Sequence, residues 1–127
     1  MSLEAAKELA PTGALRAAIN MSNFLLVTGK TATGEPDGVS PDMAREIAKR
    51  LSVDLELLQY KTPGEISDDA GKDIWDIGNI GAEPKRAEKI DFTAAYCEIQ
   101  STYMVPPGSE ITSLDQVDQK GGRIAVS

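Results

Sequence analysis

Apolar residues recur along this chain in two periods, and the switches between them mark out its elements. Leu15 to Asn20 is a short apolar run that predicts a first strand. Phe24-Leu25-Leu26-Val27 is a second run, too short for periodicity to separate a strand from a packed loop. Met43, Ala44, Ile47, Ala48 and Leu51 fall on one face at helical spacing. Ser40 is a suitable N-cap for that helix, with Pro41 at an early position, Asp42 in the first turn and Glu46 and Arg50 spaced i,i+4. Val53 to Leu57 alternates strictly, as a half-buried strand does.

Further on the pattern weakens. Thr62-Pro63-Gly64-Glu65 opens a second helix with Ile66 and Ala70 available to a core. Ile74 to Ile80 predicts a third strand, and Pro84 to Lys89 a short helix. Strands are expected from Asp91-Phe92-Thr93, over Ser101 to Val105 and over Arg123 to Ser127, with a helical turn capped by Ser113. Breakers separate these pieces: Pro11-Thr12-Gly13, the Gly/Thr/Pro/Asp-rich stretch Thr28 to Gly38, and Pro106-Pro107-Gly108-Ser109. Residues 1–13 suggest a leader or a frayed helix. Strands alternating with helices predict an α/β layered fold with a largely parallel sheet. Because the chain stops on an expected strand, a truncation is expected there.

Composition narrows the function classes. The 127 residues suffice for a real core. A formal net charge of −7 speaks against nucleic acid. With no histidine and one cysteine, Cys97, there is no disulfide framework, His/Cys metal cluster or His-dependent triad, and no cofactor is expected. The apolar neighbours of Cys97 predict a buried structural thiol. Trp75 is expected to pack rather than to hold a ligand, and Asp68 and Asp69 point different ways on a helix. No apolar stretch approaches a membrane-spanning length.

Candidate chemistry lies at the carboxyl ends of the predicted strands, where open α/β sheets bind ligands. Loops leave those ends at Asn20, Tyr60 and Gly81. Asn20, Ser22 and Asn23 beside Phe24 offer amides, a hydroxyl and an aromatic face. An Asn/Ser turn with a core phenylalanine explains the same residues. Gly81-Ala82-Glu83-Pro84-Lys85-Arg86 leads into a helix, and Arg86 suits a carboxylate. A solvated charge run from Glu83 to Glu88 is the other explanation.

Trp75-Asp76-Ile77, the run Gly81 to Thr93, Ala95-Tyr96 and Thr102-Tyr103-Met104-Val105 resemble the family 3 extracellular solute-binding proteins. Gly38-Val39-Ser40-Pro41-Asp42-Met43-Ala44, Ile111-Thr112-Ser113-Leu114 and Arg123-Ile124-Ala125-Val126 extend that resemblance in order over residues 14–127. It implies the type II periplasmic-binding-protein fold. Two three-layer α/β lobes would be joined by hinge strands and would close on a ligand. Residues 14–104 would be an incomplete lobe 1, 105–112 a hinge crossing and 113–127 the start of lobe 2.

The resemblance implies a periplasmic or membrane-tethered extracellular component of an ABC importer, with an amino acid or related carboxylate as ligand and the membrane permease as partner. It also implies site residues. Asn20 stands where many relatives place an Asp that grips the ligand's α-amino group, an Asn keeping an acceptor without the charge. Asn23 or Phe24 matches the stacking aromatic, Thr62 a second wall residue and Gly81 a backbone contact. Arg86 matches the arginine that clamps the α-carboxylate. The loop from Gly81 to Arg86 is shorter than in typical amino-acid binders, and Glu83 there is a candidate for the ligand amine. A prephenate/arogenate-type dehydratase on the same fold, with Glu83 as acid, and a receptor sensor domain are the alternative readings. Apolar residues in the tail, namely Ile111, Leu114, Val117, Ile124 and Val126, suggest a homodimer through the truncated edge.

Overall fold

The computed structural model describes residues 3–125. Contacts divide the chain into two units, one up to Thr93 and one from Ala94.

The first unit is built on a parallel sheet. Strand β1, Ala14–Asn20, lies at its centre, between β4, Asp54–Tyr60, and β5, Ile77–Asn79. The register runs Ala14 beside Asp54 to Asn20 beside Tyr60, and Ile19 beside Asn79. Strand alternation gives β1 two faces. Leu15, Ala17 and Ile19 meet helix α2, Val39–Leu51, through Ala44, Ala48 and Leu51. Ala18, on the opposite face, lies beside Gly78, and there Ile66 of helix α3, Pro63–Asp68, packs. Gly78 is what allows that approach, since a Cβ there would stand 3.3 Å from Ile66 Cγ2. Helices on both faces of a parallel sheet make the expected three-layer α/β arrangement. Helix α1, Leu3–Leu9, is formed, and Ala5, Ala6 and Ala10 pack against the α2 side of the core.

An ionic tie closes the other end of the sheet. Arg16 grips Asp76 through Nε–Oδ2 at 3.1 Å and Nη2–Oδ1 at 2.7 Å, and also Asp73 Oδ1 at 2.8 Å. Hydrogen bonds to Asp76 first, then Asp73, hold the guanidinium above its ordinary pKa. Asp76 Oδ2 also accepts from the Arg16 backbone N–H at 2.8 Å. The pair thus fixes where β5 joins β1 and keeps the buried carboxylate paired.

Several expectations need correction. Helix α2 starts earlier than the Ser40 cap predicted: Gly38 is the N-cap, at φ 131°, and Val39 is already helical. Ser40 is instead drawn into the core, where its N–H donates to Leu26 O and its carbonyl accepts from Asn79 Nδ2. The Phe24 to Val27 run is a turn that buries Val27 and leaves Phe24 and Leu25 exposed, and Thr28 to Gly38 folds into a small antiparallel pair, β2 (Gly29–Lys30) with β3 (Pro36–Asp37). The third strand shortens to Ile77–Asn79, and the short helix α4 to Pro84–Ala87.

The second unit shows the largest departure. No strand forms among residues 91–125, although three were expected over 91–127. A strand is not a local structure: without a neighbouring backbone its N–H and C=O groups gain nothing over water. Residues 126 and 127, the end of the last expected strand, lie outside the described residues. What does form is local. Ser113 and Gln116 cap a single turn, Leu114–Gln116, where Gln116 Oε1 accepts from Ser113 N at 3.0 Å. Cys97, expected to be buried, is exposed, because the segment around it packs into no core. Ile111, Leu114 and Ile124 are exposed too, and Val117 is half-buried.

Candidate functional site

The order of crossovers places a crevice. From β1 the chain passes through α2 on one face to β4, then through α3 on the other face to β5, on the far side of β1. Loops leaving the carboxyl ends of β1 and β5 therefore diverge around a switch point, where such sheets bind ligands. The register sets Asn20 and Tyr60 side by side at that edge, with Asn79 one step behind.

After β1 the chain turns on asparagines. Asn20 is 8% exposed, and its Oδ1 accepts from Ser22 N at 3.1 Å and Ser22 Oγ at 2.8 Å. Asn23 starts the next turn, its Oδ1 accepting from Leu25 N at 3.3 Å and its carbonyl from Val27 N at 2.8 Å. Of the plain structural explanation, the Asn/Ser turn is therefore present and the core phenylalanine is not. Phe24 is 78% exposed, its ring free to cover a ligand.

After β4, Tyr60 donates its hydroxyl to Asp69 Oδ2 at 3.0 Å, and Lys72 pairs with Asp69 Oδ1 at 3.2 Å. Burial pushes the Tyr60 phenol above its ordinary pKa, and the bond to Asp69 adds to that. Thr62 follows as the N-cap of α3 in a reciprocal box with Glu65: its Oγ1 accepts from Glu65 N at 3.3 Å, while Glu65 Oε2 accepts from Thr62 N at 3.2 Å.

After β5 the loop closes on Arg86. Its Nη1 donates to Gly81 O at 2.8 Å and pairs with Glu83 Oε1 at 3.1 Å. The Arg86 side chain is 15% exposed, against 57% for Glu83. Arg86 is therefore not part of a solvated charge run. Its Nε and Nη2 have no partner among the described residues. That leaves the side-on edge of the guanidinium, the geometry that accepts both oxygens of a carboxylate. Glu83 and Arg86 line an open groove of about 240 Å³ with Gly64, Ser67, Asp68, Lys85, Glu88 and Lys89. Three acidic and three basic side chains balance there, in a chain whose net charge is −7.

The structure thus gathers Glu83 and Arg86 into one groove, and sets Asn20, Asn23 and Phe24 together in the loop after β1. Thr62 and Gly81 begin the other two edge loops. Ser22, which fixes the Asn20 amide, was visible in the sequence only as one more polar loop residue. Among the described residues no His/Cys/Asp/Glu group suits a metal, and no helix is long and apolar enough to cross a membrane.

The sequence profile of the bacterial extracellular solute-binding proteins, family 3, matches residues 16–121. The chain belongs to that family. Solute binding is therefore the activity its relatives lead one to seek at this edge, and the family is an extracellular one. Solved structures carry the same fold. An ancestral cyclohexadienyl dehydratase is 26% identical with a TM-score of 0.61, over 72% of this chain and 38% of that one. An ancestral cationic amino acid solute binding protein is 24% identical with a TM-score of 0.59, over 70% and 39%. The arginine-bound form of domain 1 from TmArgBP, in a point mutant, is 21% identical with a TM-score of 0.54, over 65% and 64%. The chain thus spans well under half the length of the two ancestral proteins. A search of curated proteins gives no match.

Proposed function

We propose that this solute-binding chain holds a small polar solute through its carboxylate, an amino acid or related acid, as part of the substrate-binding component of an ABC importer. The observation that carries this reading is the unpartnered Nε–Nη2 edge of a guanidinium that is 15% exposed. Residues 14–104 act as one wall of the cleft, 105–112 as a crossing and 113–127 as the opening of the second lobe, with 1–13 a leader. Arg86 takes the carboxylate, Phe24 covers the solute, and Asn20, Asn23, Thr62 and Gly81 contact its remaining surface. The arginine-bound TmArgBP domain supports the idea that one domain of this fold can hold ligand. A periplasmic site of action and docking to a membrane permease follow from the same reading. The exposed Ile111, Leu114 and Ile124 support association between copies.

Calorimetric or NMR titration of the chain with an amino-acid panel tests this reading. One wall gives weak affinity, and micromolar binding by the chain alone counts against a divided cleft. Arg86→Gln is expected to weaken carboxylate binding about tenfold or more, since bonds to charged groups are the strong ones. Unchanged affinity removes the arginine from the site. Gly81→Ala separates fold from ligand at a neighbouring position. Its new Cβ would stand 3.7 Å from Arg86 Nη1, an ordinary contact, so the melting curve is expected to be unchanged. A drop in affinity with an unchanged melt would show that solute approaches this backbone closely.

The dehydratase neighbour supports a second reading, with Glu83 as acid. Glu83 is more than half exposed and paired with Arg86, which favours binding over proton transfer. Turnover of an arogenate-like substrate, lost in Glu83→Gln, would reverse that order.

A further inference from the structure

The amide of Asn20 shows which polarity the site presents. Its Oδ1 accepts from the Ser22 backbone N–H at 3.1 Å. A backbone N–H can only donate, so this contact fixes which way round the amide stands. Ser22 Oγ takes the second lone pair at 2.8 Å. The acceptor expected from an Asn at this position is therefore spent inside the loop. Nδ2 has no hydrogen-bond partner among the described residues. Among the described residues no buried side-chain nitrogen or oxygen lacks a partner, so this nitrogen reaches solvent, although the residue as a whole is 8% exposed.

The same bias runs through the other expected contacts. Asn23 Oδ1 is occupied by Leu25 N, Thr62 Oγ1 by Glu65 N, and the Gly81 carbonyl by Arg86. Glu83, the one carboxylate among them, already pairs with Arg86 at 3.1 Å. Each of these residues already gives one acceptor oxygen to the chain's own donors. Asn20 Nδ2 and the side-on edge of Arg86 are donors that no group among the described residues engages.

We infer that, granted the carboxylate-binding reading above, the second pole of this site is a hydrogen-bond donor. It selects small acids whose other end is an oxygen acceptor (a hydroxyl, a carbonyl or a second carboxylate) over acids with an ammonium there. An ammonium set against Asn20 Nδ2 meets donor with donor and strands both, whereas a hydroxyl oxygen accepts.

Amide-resolved NMR titration of the full chain with matched pairs tests this: L-malate against L-aspartate, and L-lactate against L-alanine. Within each pair the carbon skeleton is shared and a hydroxyl replaces the ammonium. The hydroxy acid is expected to bind at least about fivefold more tightly, with the Asn20 side-chain amide among the signals that move. The extra negative charge of the hydroxy acid works against it on this acidic chain, so the preference cannot come from net charge. Asn20→Asp retains an oxygen for both Ser22 bonds and turns Nδ2 into an acceptor, so it is expected to invert the ratio. If that variant does not fold, the wild-type ratio still decides. Equal or tighter binding of the amino acids by the wild-type chain overturns the inference. Arg86→Gln separates the two failures. If it weakens both members of a pair while the wild type prefers the amino acid, only the inference fails. If it leaves both unchanged, or if no acid binds at all, the carboxylate reading fails and takes the inference with it.

Discussion

Gly38→Ala is expected to leave little folded protein. A Cβ at position 38 would lie 2.6 Å from Leu26 O, 2.9 Å from Thr28 N and 3.1 Å from Val27 Cα. All three are backbone atoms, so no side chain can swing aside. They are also held in place: Leu26 O accepts from Ser40 N at 3.0 Å, and Thr28 N donates to Asp37 O at 2.9 Å. Moving them breaks the bonds that seat the start of α2. The φ of 131° adds strain for any L side chain. Together these place the loss above about 4 kcal/mol, a large share of a small domain's stability. Gly34→Ala is the control. Its φ is 85°, yet nothing lies within 4 Å of the new Cβ, so only backbone strain remains, about 1–2 kcal/mol. Chemical denaturation of the two variants separates clash from strain, and equal midpoints would show that the contact at Leu26 is not what matters.

Sequence periodicity found what is local. The apolar stripe of α2, the alternation before Leu57 and the Thr62 cap each depend on residues within a turn or two, and each stands in the structure. The start of α2 was misplaced because Ser40 is a good cap in isolation. Its burial between Leu26 and Asn79 depends on partners up to 39 residues away. The Arg16 tie spans 60 residues to Asp76, and nothing near either residue announces it. The expected strands after Thr93 failed for the opposite reason. Their composition suits strands, but a ladder needs a partner that composition cannot supply.

For the proposed site, the resemblance supplied a list of positions and no polarity. The resemblance placed Asn20, Phe24 and Arg86 along the edge. It assigned Asn20 an accepting role, because the side chain itself has an acceptor. Only the Ser22 contacts show that this oxygen is used and the nitrogen is not. The same holds for Arg86: residue type announced a carboxylate grip, while the contacts to Gly81 and Glu83 show which edge of the guanidinium is left for it.

Ile66→Ala is expected to cost about 2–5 kcal/mol and to loosen the α3 side of the site with it. Ile66 is fully buried and is the one buried residue of α3, a helix of six residues. So short a helix cannot hold itself together in water. It stays on the sheet because Ile66 packs over Gly78, and because Trp75 Nε1 donates to Ile66 O at 3.0 Å. Gly78 offers no side chain to fill the space an alanine would leave, so collapse of the cavity is limited. A melting temperature lower by about 10 °C or more is expected. Gly64, Ser67 and Asp68 of α3 form one side of the groove that Glu83 and Arg86 face. A variant that still folds at low temperature should therefore bind solute more weakly, although Ile66 touches no solute. Ile66→Val, which keeps most of the volume, should cost about 0.5–1.5 kcal/mol and leave affinity near that of the parent. If Ile66→Ala melts at the parent temperature, the helix is held by its cap and by Trp75. If it melts low but binds as the parent does, α3 is not a wall of the site, and the solute rests on the loops after β1 and β5 alone.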